Sequence, residues 1–309
     1  MSAIAMLRQL SPAYGVCSRK PLQSSSSLPM SRLTVTYTGL LMKGGRTLRR
    51  LLPRGTRFVD AVAQRLRSHV LPKGTAWVQV QDGYARGLWI EIDLMHERTW
   101  WAGSHEPSVQ RALQQLVARG SVFYDIGAHI GFFSLPTARS GAQVTAFEPD
   151  PESAARLRKH ATRNRLDANL RVIEAALWSR SENSMTFRRG YPRSQGGVLD
   201  GDHHPVIGSG PCIQVSAFRL DDFVARGNPA PEMIKIDVEG AAAEVLQGGI
   251  ETLRAHRPAL VVEVHTADEQ LAIDKVLTAL SYRTTWDIPR VQFPRQCFAS
   301  GNAEQLQRL

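Results

Sequence analysis

The stretch Asp125-Ile126-Gly127-Ala128-His129-Ile130-Gly131 puts a carboxylate, an imidazole and two glycines within one short turn. Glycine lets a chain turn tightly and leaves no Cβ in the way of a ligand. An apolar strand, Val122 to Ile126, precedes the turn, and a helical pattern from Ile130 to Arg139 follows it, closed by Gly141. In doubly wound sheets, ligands bind at such turns, outside the carboxyl ends of the strands. Three loop chemistries compete for this position. A phosphate loop needs GxxxxGK[ST], and no Lys-Ser or Lys-Thr follows Gly131. A dinucleotide fingerprint needs GxGxxG, whereas the spacing here is GxxxG with an acid two residues before the first glycine. Asp125 separates the alternatives. A pyrophosphate on this turn would be repelled by the carboxylate, whereas a cationic ligand is attracted.

S-adenosylmethionine presents an ammonium and a sulfonium, which Asp125 can favour directly or through water. The second strand, Gln143 to Phe147, ends at Glu148, seventeen residues after Gly131. A carboxylate there can accept both ribose hydroxyls. A third strand, Leu170 to Leu177, ends in Glu174-Ala175-Ala176-Leu177, small residues and one acceptor suited to flank an adenine ring. The cofactor set is therefore Asp125, Gly127, Ala128, Gly131, Glu148, Glu174 and Ala175, with Asp237 joining it below. A bare GxxxG is a weak signal; the added strand–Glu148-Pro149 makes it far more specific. The competing structural reading has the glycines serving only close strand–helix packing and Glu148 capping a surface helix.

These residues resemble a known family, the FkbM-type S-adenosylmethionine-dependent methyltransferases, which are mostly O-methylating. Phe123 to Ser134 and Ala146-Phe147-Glu148-Pro149 carry the likeness. Ile234-Lys235-Ile236-Asp237-Val238-Glu239-Gly240, Val261-Val262-Glu263-Val264-His265 and the lead-in Gly103-Ser104-His105-Glu106-Pro107 extend it. It spans about residues 95 to 300, two-thirds of the chain. The resemblance implies a Rossmann-like class I sheet of seven strands in the order 3-2-1-4-5-7-6, the last antiparallel, with Arg295 to Ala299 on that strand. It also implies O-methylation of a hydroxyl on a sugar, glycan, glycolipid or polyketide-like small molecule.

The later motifs can be read without the family. By the period of two, Lys235, Asp237 and Glu239 share one strand face, and Val261, Glu263 and His265 share another. If these strands are neighbours, Lys235 pairs with Glu263 below the site, as a buried lysine needs a partner. Methyl transfer to a hydroxyl requires alignment of the reactants and removal of a proton. His265 and Asp237 are the candidate catalytic residues, and His129 is a third, less apt base because its loop faces the cofactor. Equally, Asp237 can simply hold the cofactor's amino group and His265 can be a hydrogen-bonded structural histidine. No metal is expected; Asp237 and Glu239, with His265, form a set able to take Mg²⁺.

The elements that position these residues follow from pattern and composition. Hydrophobic content of 43% and charged content of 21% suit a globular protein. No apolar run approaches the roughly 18 to 20 residues of a membrane span. Cys17, Cys212 and Cys297 form no CxxC pair, which suits a reducing, cytoplasmic setting. The net charge of +10 is concentrated in residues 1–70, which hold twelve Lys/Arg and one acid, leaving the body near neutral. A neutral body argues against a nucleic-acid substrate, whose phosphates call for a basic stripe beside the site.

Residues 1–70 read as a basic, partly disordered extension. Within it, Arg46 to Val70 forms an amphipathic stretch able to rest on an anionic membrane surface or to pack one face on the body. Its Arg-rich, acid-poor composition also resembles a transit peptide, although no cleavage site is evident. Residues 71–120 supply a hairpin between Thr75 and Asp93 and a helix from Glu106 to Arg119, started by Pro107. Residues 121–309 alternate strands and helices, the pattern of an α/β doubly wound sheet. This series includes a single helix, Ala241 to Arg254, and a Gly-rich loop or lid, Arg188 to Gly210. Trp100 to Glu106 and that loop are the expected acceptor contacts, with Trp100 and Trp101 able to stack on a sugar or to serve as core. Two other functions are weighed against methyl transfer: a binding or scaffold protein of the same fold, and a nicotinamide oxidoreductase, which the loop spacing disfavours. Neither the oligomeric state nor the acceptor is legible.

Overall fold

A computed structural model describes residues 74–190, 197–199, 210–287 and 292–302. The basic extension, and most of the Arg188–Gly210 loop, lie outside the described residues. No described helix is long and apolar enough to cross a membrane.

The lead-in begins with an antiparallel hairpin, β1 (Thr75–Gln79) and β2 (Trp89–Asp93), paired from Thr75↔Asp93 to Gln79↔Trp89. Two helices follow, α1 (Arg98–Ala102) and α2 (Pro107–Leu116), with Pro107 in the first turn of α2. The alternating series then runs β3 (Val122–Ile126), α3 (Ser134–Arg139), β4 (Gln143–Phe147), α4 (Pro151–Arg163) and β5 (Leu170–Ile173). Next come four short strands, β6 (Ala176–Leu177), β7 (Glu182–Arg188), β8 (Val198–Leu199) and β9 (Cys212–Phe218). The chain closes with α5 (Leu220–Ala225), β10 (Met233–Ile236), α6 (Ala242–Gln247), α7 (Ile250–His256), β11 (Ala259–Val264), α8 (Ala267–Ala279), β12 (Arg283–Trp286) and β13 (Arg295–Ser300).

Seven strands form one sheet in the order β5-β4-β3-β10-β11-β13-β12, and β13 runs antiparallel to both its neighbours. This is the order 3-2-1-4-5-7-6 that the resemblance implies, with Arg295 to Ala299 on the reversed strand. Alternate residues feed opposite cores. Phe123, Val144, Met233 and Val261 pack under the hairpin, α2, α3 and α4, while Tyr124, Ile126, Ile234, Ile236, Leu260 and Val262 pack on the other face. Both faces are covered, as a parallel sheet requires.

Three expected boundaries move, each for a local reason. The expected third strand stops at Ile173, and Ala176-Leu177 instead pairs in parallel with β9 in a separate four-stranded sheet. The helix expected from Ile130 starts only at Ser134, because His129 (φ 49°) and Gly131 (φ 85°) adopt left-handed backbone that a helix cannot contain. The helix expected over 241–254 breaks into α6 and α7 at Gly248-Gly249. There the chain passes so close to the Trp178 carbonyl that a side chain on Gly248 would collide with it. Asp221 stabilises the restart, accepting from the amides of Glu251 (3.2 Å) and Thr252 (2.8 Å).

Candidate active site

At the carboxyl ends of β3, β4, β10 and β11 the apolar alternation gives way to polar residues, and a cavity of about 980 Å³ opens there. One wall is the turn after β3. The amides of Gly127 and Ala128 both donate to the Phe147 carbonyl (3.0 Å each), tying the turn to the end of β4. Gly127 is required by contact as well as by its φ of 76°, since a Cβ there would strike the Asp237 carbonyl. The left-handed turn at His129 points its amide at Glu148 Oε2 (2.7 Å), while Glu148 Oε1 accepts from the Asp150 amide (2.9 Å). Burial pushes the Glu148 carboxyl up to about 8, the two amide donors pulling the other way.

A charged cluster lies on the other side of β3, at the ends of β10 and β11. Lys235 Nζ lies 3.1 Å from Asp237 Oδ2 and 3.5 Å from Asp125 Oδ1, and Ser134 Oγ donates to Asp125 Oδ2 (2.5 Å). Burial alone would pull the lysine down, but Asp237 and Asp125 outweigh it and hold the ammonium charged. Asp237 in turn stays well below the usual carboxylate range: burial opposes its charge, and Lys235 overcomes that. Burial, with Asp237 alongside, drives Glu263 well above its ordinary value. His265 Nε2 lies 3.1 Å from Glu239 and 3.6 Å from Glu263. Burial opposes its charge, yet hydrogen bonding and attraction from Glu239 leave its pKa raised.

Of the residues read from sequence, Gly127, Ala128, Glu148, Ala175, Asp237, Glu239 and His265 line this cavity together, as does His129. Three do not. Asp125 is fully buried behind Lys235 and Ser134, because register sets it directly beside Lys235 on the neighbouring strand. A side chain on Gly131 would strike Leu157, so this glycine serves the packing of α4. Glu174 turns outward where β5 ends and pairs with Arg158 (2.9 Å). The expected Lys235–Glu263 pair is replaced by Lys235 with Asp125 and Asp237; across the strand from Lys235 stands Val261, two residues short of Glu263. Trp100 lines the cavity, its ring 5.1 Å from that of His129, whereas Trp101 is core. Of the described residues of the expected lid, Arg189, Gly190, Gly197 and Leu199 also reach it.

Sequence reasoning missed Glu269 and His160. Glu269 is buried and accepts from the amides of His265 (2.7 Å) and Ala242 (3.1 Å), fixing the backbone beneath the site. Its signal was present: Thr266-Ala267-Asp268-Glu269 has capping-box spacing, and Thr266 Oγ1 accepts from the Glu269 amide (3.1 Å). His160, on α4, touches the cofactor-side turn from behind.

The sheet order, the turn after β3 and the cavity above it define a Rossmann-like methyltransferase. The family described as the methyltransferase FkbM domain matches residues 125–284, about half of the chain, and the chain belongs to that family. The 31-O-demethyl-FK506 methyltransferase FkbM of Streptomyces tacrolimicus is 30% identical over 65% of this chain and 82% of its own. The hexuronic acid methyltransferase AglP of Haloferax volcanii is 27% identical over 58% of this chain and 70% of its own. Among solved structures, methyltransferase FkbM from Methylobacillus flagellatus KT aligns with a TM-score of 0.43 at 17% identity, over 59% of this chain and 43% of that one.

Proposed function

We propose that this methyltransferase uses S-adenosylmethionine to O-methylate a hydroxyl on a sugar or polyketide-like small molecule. The observation that carries the reading is one cavity with Glu148 on one wall and Asp237, Glu239 and His265 on the other. The donor set fits the cofactor: Glu148 offers two oxygens to a ribose diol, Ala175 and Val238 leave room for a flat ring, and the carboxylates of the far wall suit a cation. When bound, S-adenosylmethionine supplies the activated methyl group.

The chain's own residues do the rest. Gly127 and Ala128 hold the turn open beside the ribose position. Asp237, kept ionised by Lys235, faces the cationic part of the ligand. His265 takes the proton from the acceptor hydroxyl, and Glu239 stabilises the imidazolium that results. The names of the relatives support this class of acceptor: one acts on a demethylated FK506, the other on a hexuronic acid.

Calorimetry of the full chain with S-adenosylhomocysteine and with NADH tests the cofactor. Micromolar binding of the first and none of the second is the expected result; NADH binding alone, or no binding of either, overturns the proposal.

A further inference from the structure

Three side chains of α4 and its C-terminal cap, Arg156, His160 and Asn164, are spaced four residues apart and therefore share one face of the helix. That face meets the open edge of β2. Asn164 gives and receives at Trp89, its Oδ1 accepting from the Trp89 amide (2.8 Å) and its Nδ2 donating to the Trp89 carbonyl (2.7 Å). Two residues along, the Glu91 amide donates to His160 Nε2 (2.8 Å) and the Glu91 carbonyl accepts from Arg156 Nη2 (2.6 Å). Four helical residues rise about 6 Å, close to the roughly 6.6 Å of two strand residues, so the stripe stands in for a missing strand. Arg156 also reaches Glu97 with both terminal nitrogens, at 3.1 and 2.8 Å.

His160 differs from the other two because its second nitrogen has another task. It is wholly buried, and with Nε2 accepting, Nδ1 carries the proton and donates to the Ile130 carbonyl (2.9 Å). Ile130 follows His129, whose left-handed backbone aims its amide at Glu148. A hydrogen-bonded path thus runs from β2 through His160 to the turn that orients Glu148.

Resting on the cofactor reading above, we infer that His160 is a positioning residue for cofactor binding: its Nδ1–H holds the Ile130 carbonyl and so sets the turn that presents Glu148 to the ribose. Its Nε2 only docks the hairpin.

Two substitutions divide these roles. In His160→Asn the side-chain amide takes the place of Nδ1, keeping a donor for Ile130 and losing the acceptor for Glu91. In His160→Gln the terminal group takes the place of Nε2, keeping the acceptor and losing the donor to the turn. Both variants lower Tm. The Kd for S-adenosylhomocysteine, measured by calorimetry, rises about fivefold or more in His160→Gln and stays within about twofold in His160→Asn, on the scale of one hydrogen bond. Asn164→Ala, which breaks the same stripe without touching the turn, lowers Tm and leaves Kd unchanged. Equal weakening in both His160 variants, no weakening in either, or weaker binding in the Asn variant than in the Gln variant overturns the inference while leaving the cofactor reading intact. Failure of the unaltered chain to bind overturns both. Should His160→Gln not fold, imidazole ¹⁵N resonances of the unaltered chain give the same answer. On titration with S-adenosylhomocysteine the His160 Nδ1 signal shifts more than Nε2, and equal or reversed shifts count against the inference.

Discussion

Lys235 and Asp237, two residues apart at the end of β10, join their side chains at 3.1 Å while Lys235 is only 3% exposed. Asp125, on the adjacent strand, completes the pair from the other side at 3.5 Å. A buried cation between two carboxylates is stable as a set and costly to split.

Lys235→Met therefore destabilises the chain by about 3–5 kcal/mol, the usual cost of stranding a buried charge. Adding Asp125→Asn recovers part of the loss, since the second charge no longer lacks a partner. Urea unfolding midpoints of the single and double variants measure both effects. Additive losses would show that the two groups are not coupled.

Glu148, proposed above to hold the ribose, is a carboxyl buried at a stability cost. Its folded value of about 8 exceeds that of an ordinary carboxyl, so its stabilising contribution is complete at acid pH and is lost as pH rises through about 8. Glu148→Gln mimics the protonated group. The variant is expected to be more stable than the parent at pH 9 and about equal near pH 4, while S-adenosylhomocysteine binding weakens. Thermal melts at the two pH values, paired with calorimetry, read the two halves. Unchanged binding would remove Glu148 from the ribose site.

His265 is raised above its ordinary value chiefly because Glu239 outweighs the opposing effect of burial. As the base proposed above, His265 must start neutral, so turnover is expected to climb as pH rises through this raised value. Glu239→Gln moves the titration of His265 back down, and the NMR pH titration of its ring protons follows the change. A titration indifferent to residue 239 would break the assignment of Glu239 as its partner.

His160 behaves in the opposite sense. Burial, with Arg156 and His129 nearby, lowers its value to about 3, so the fold holds it neutral. Its contribution is complete above the ordinary histidine range and is lost as pH falls from about 6.5 toward 3. In His160→Asn the acid arm of the stability profile flattens, as seen in urea midpoints between pH 7 and 4.

Gly127→Ala combines a φ of 76° with a collision against the Asp237 carbonyl. A loss of about 1–3 kcal/mol is expected from the backbone alone, together with weakened S-adenosylhomocysteine binding. Gly87→Ala, also at positive φ but in open space, serves as the control for backbone strain without collision.

The period of two was legible: it grouped Lys235 with Asp237 and Glu263 with His265, each pair on one side of its own strand, and the pairing of Lys235 with Val261 brings both onto the same face of the sheet. What it could not supply was register, which faces Lys235 with Asp125 and leaves Glu263 to Asp237. Glu174 shows a second limit. The strand read from Leu170 to Leu177 looks continuous, yet the chain changes sheets at Glu174 because Ala176 and Leu177 find their partners on β9. The polar stripe on α4 was visible as three residues at helical spacing, but only the fold reveals that a strand edge lies opposite. Glu269 could have been found, since Thr266 and Glu269 have the capping-box spacing of a helix start.

The stripe on α4 also bears on how this scaffold can be recombined. The hairpin and the turn after β3 are fastened to the same helix, so a replacement hairpin must fit the side chains already on α4. A chimaera carrying residues 74–103 from a relative with another acceptor must import a matching triplet at 156, 160 and 164. Grafted without it, the foreign hairpin brings an unsatisfied edge and the chimaera loses stability, while the His160 bond to the Ile130 carbonyl is left in place.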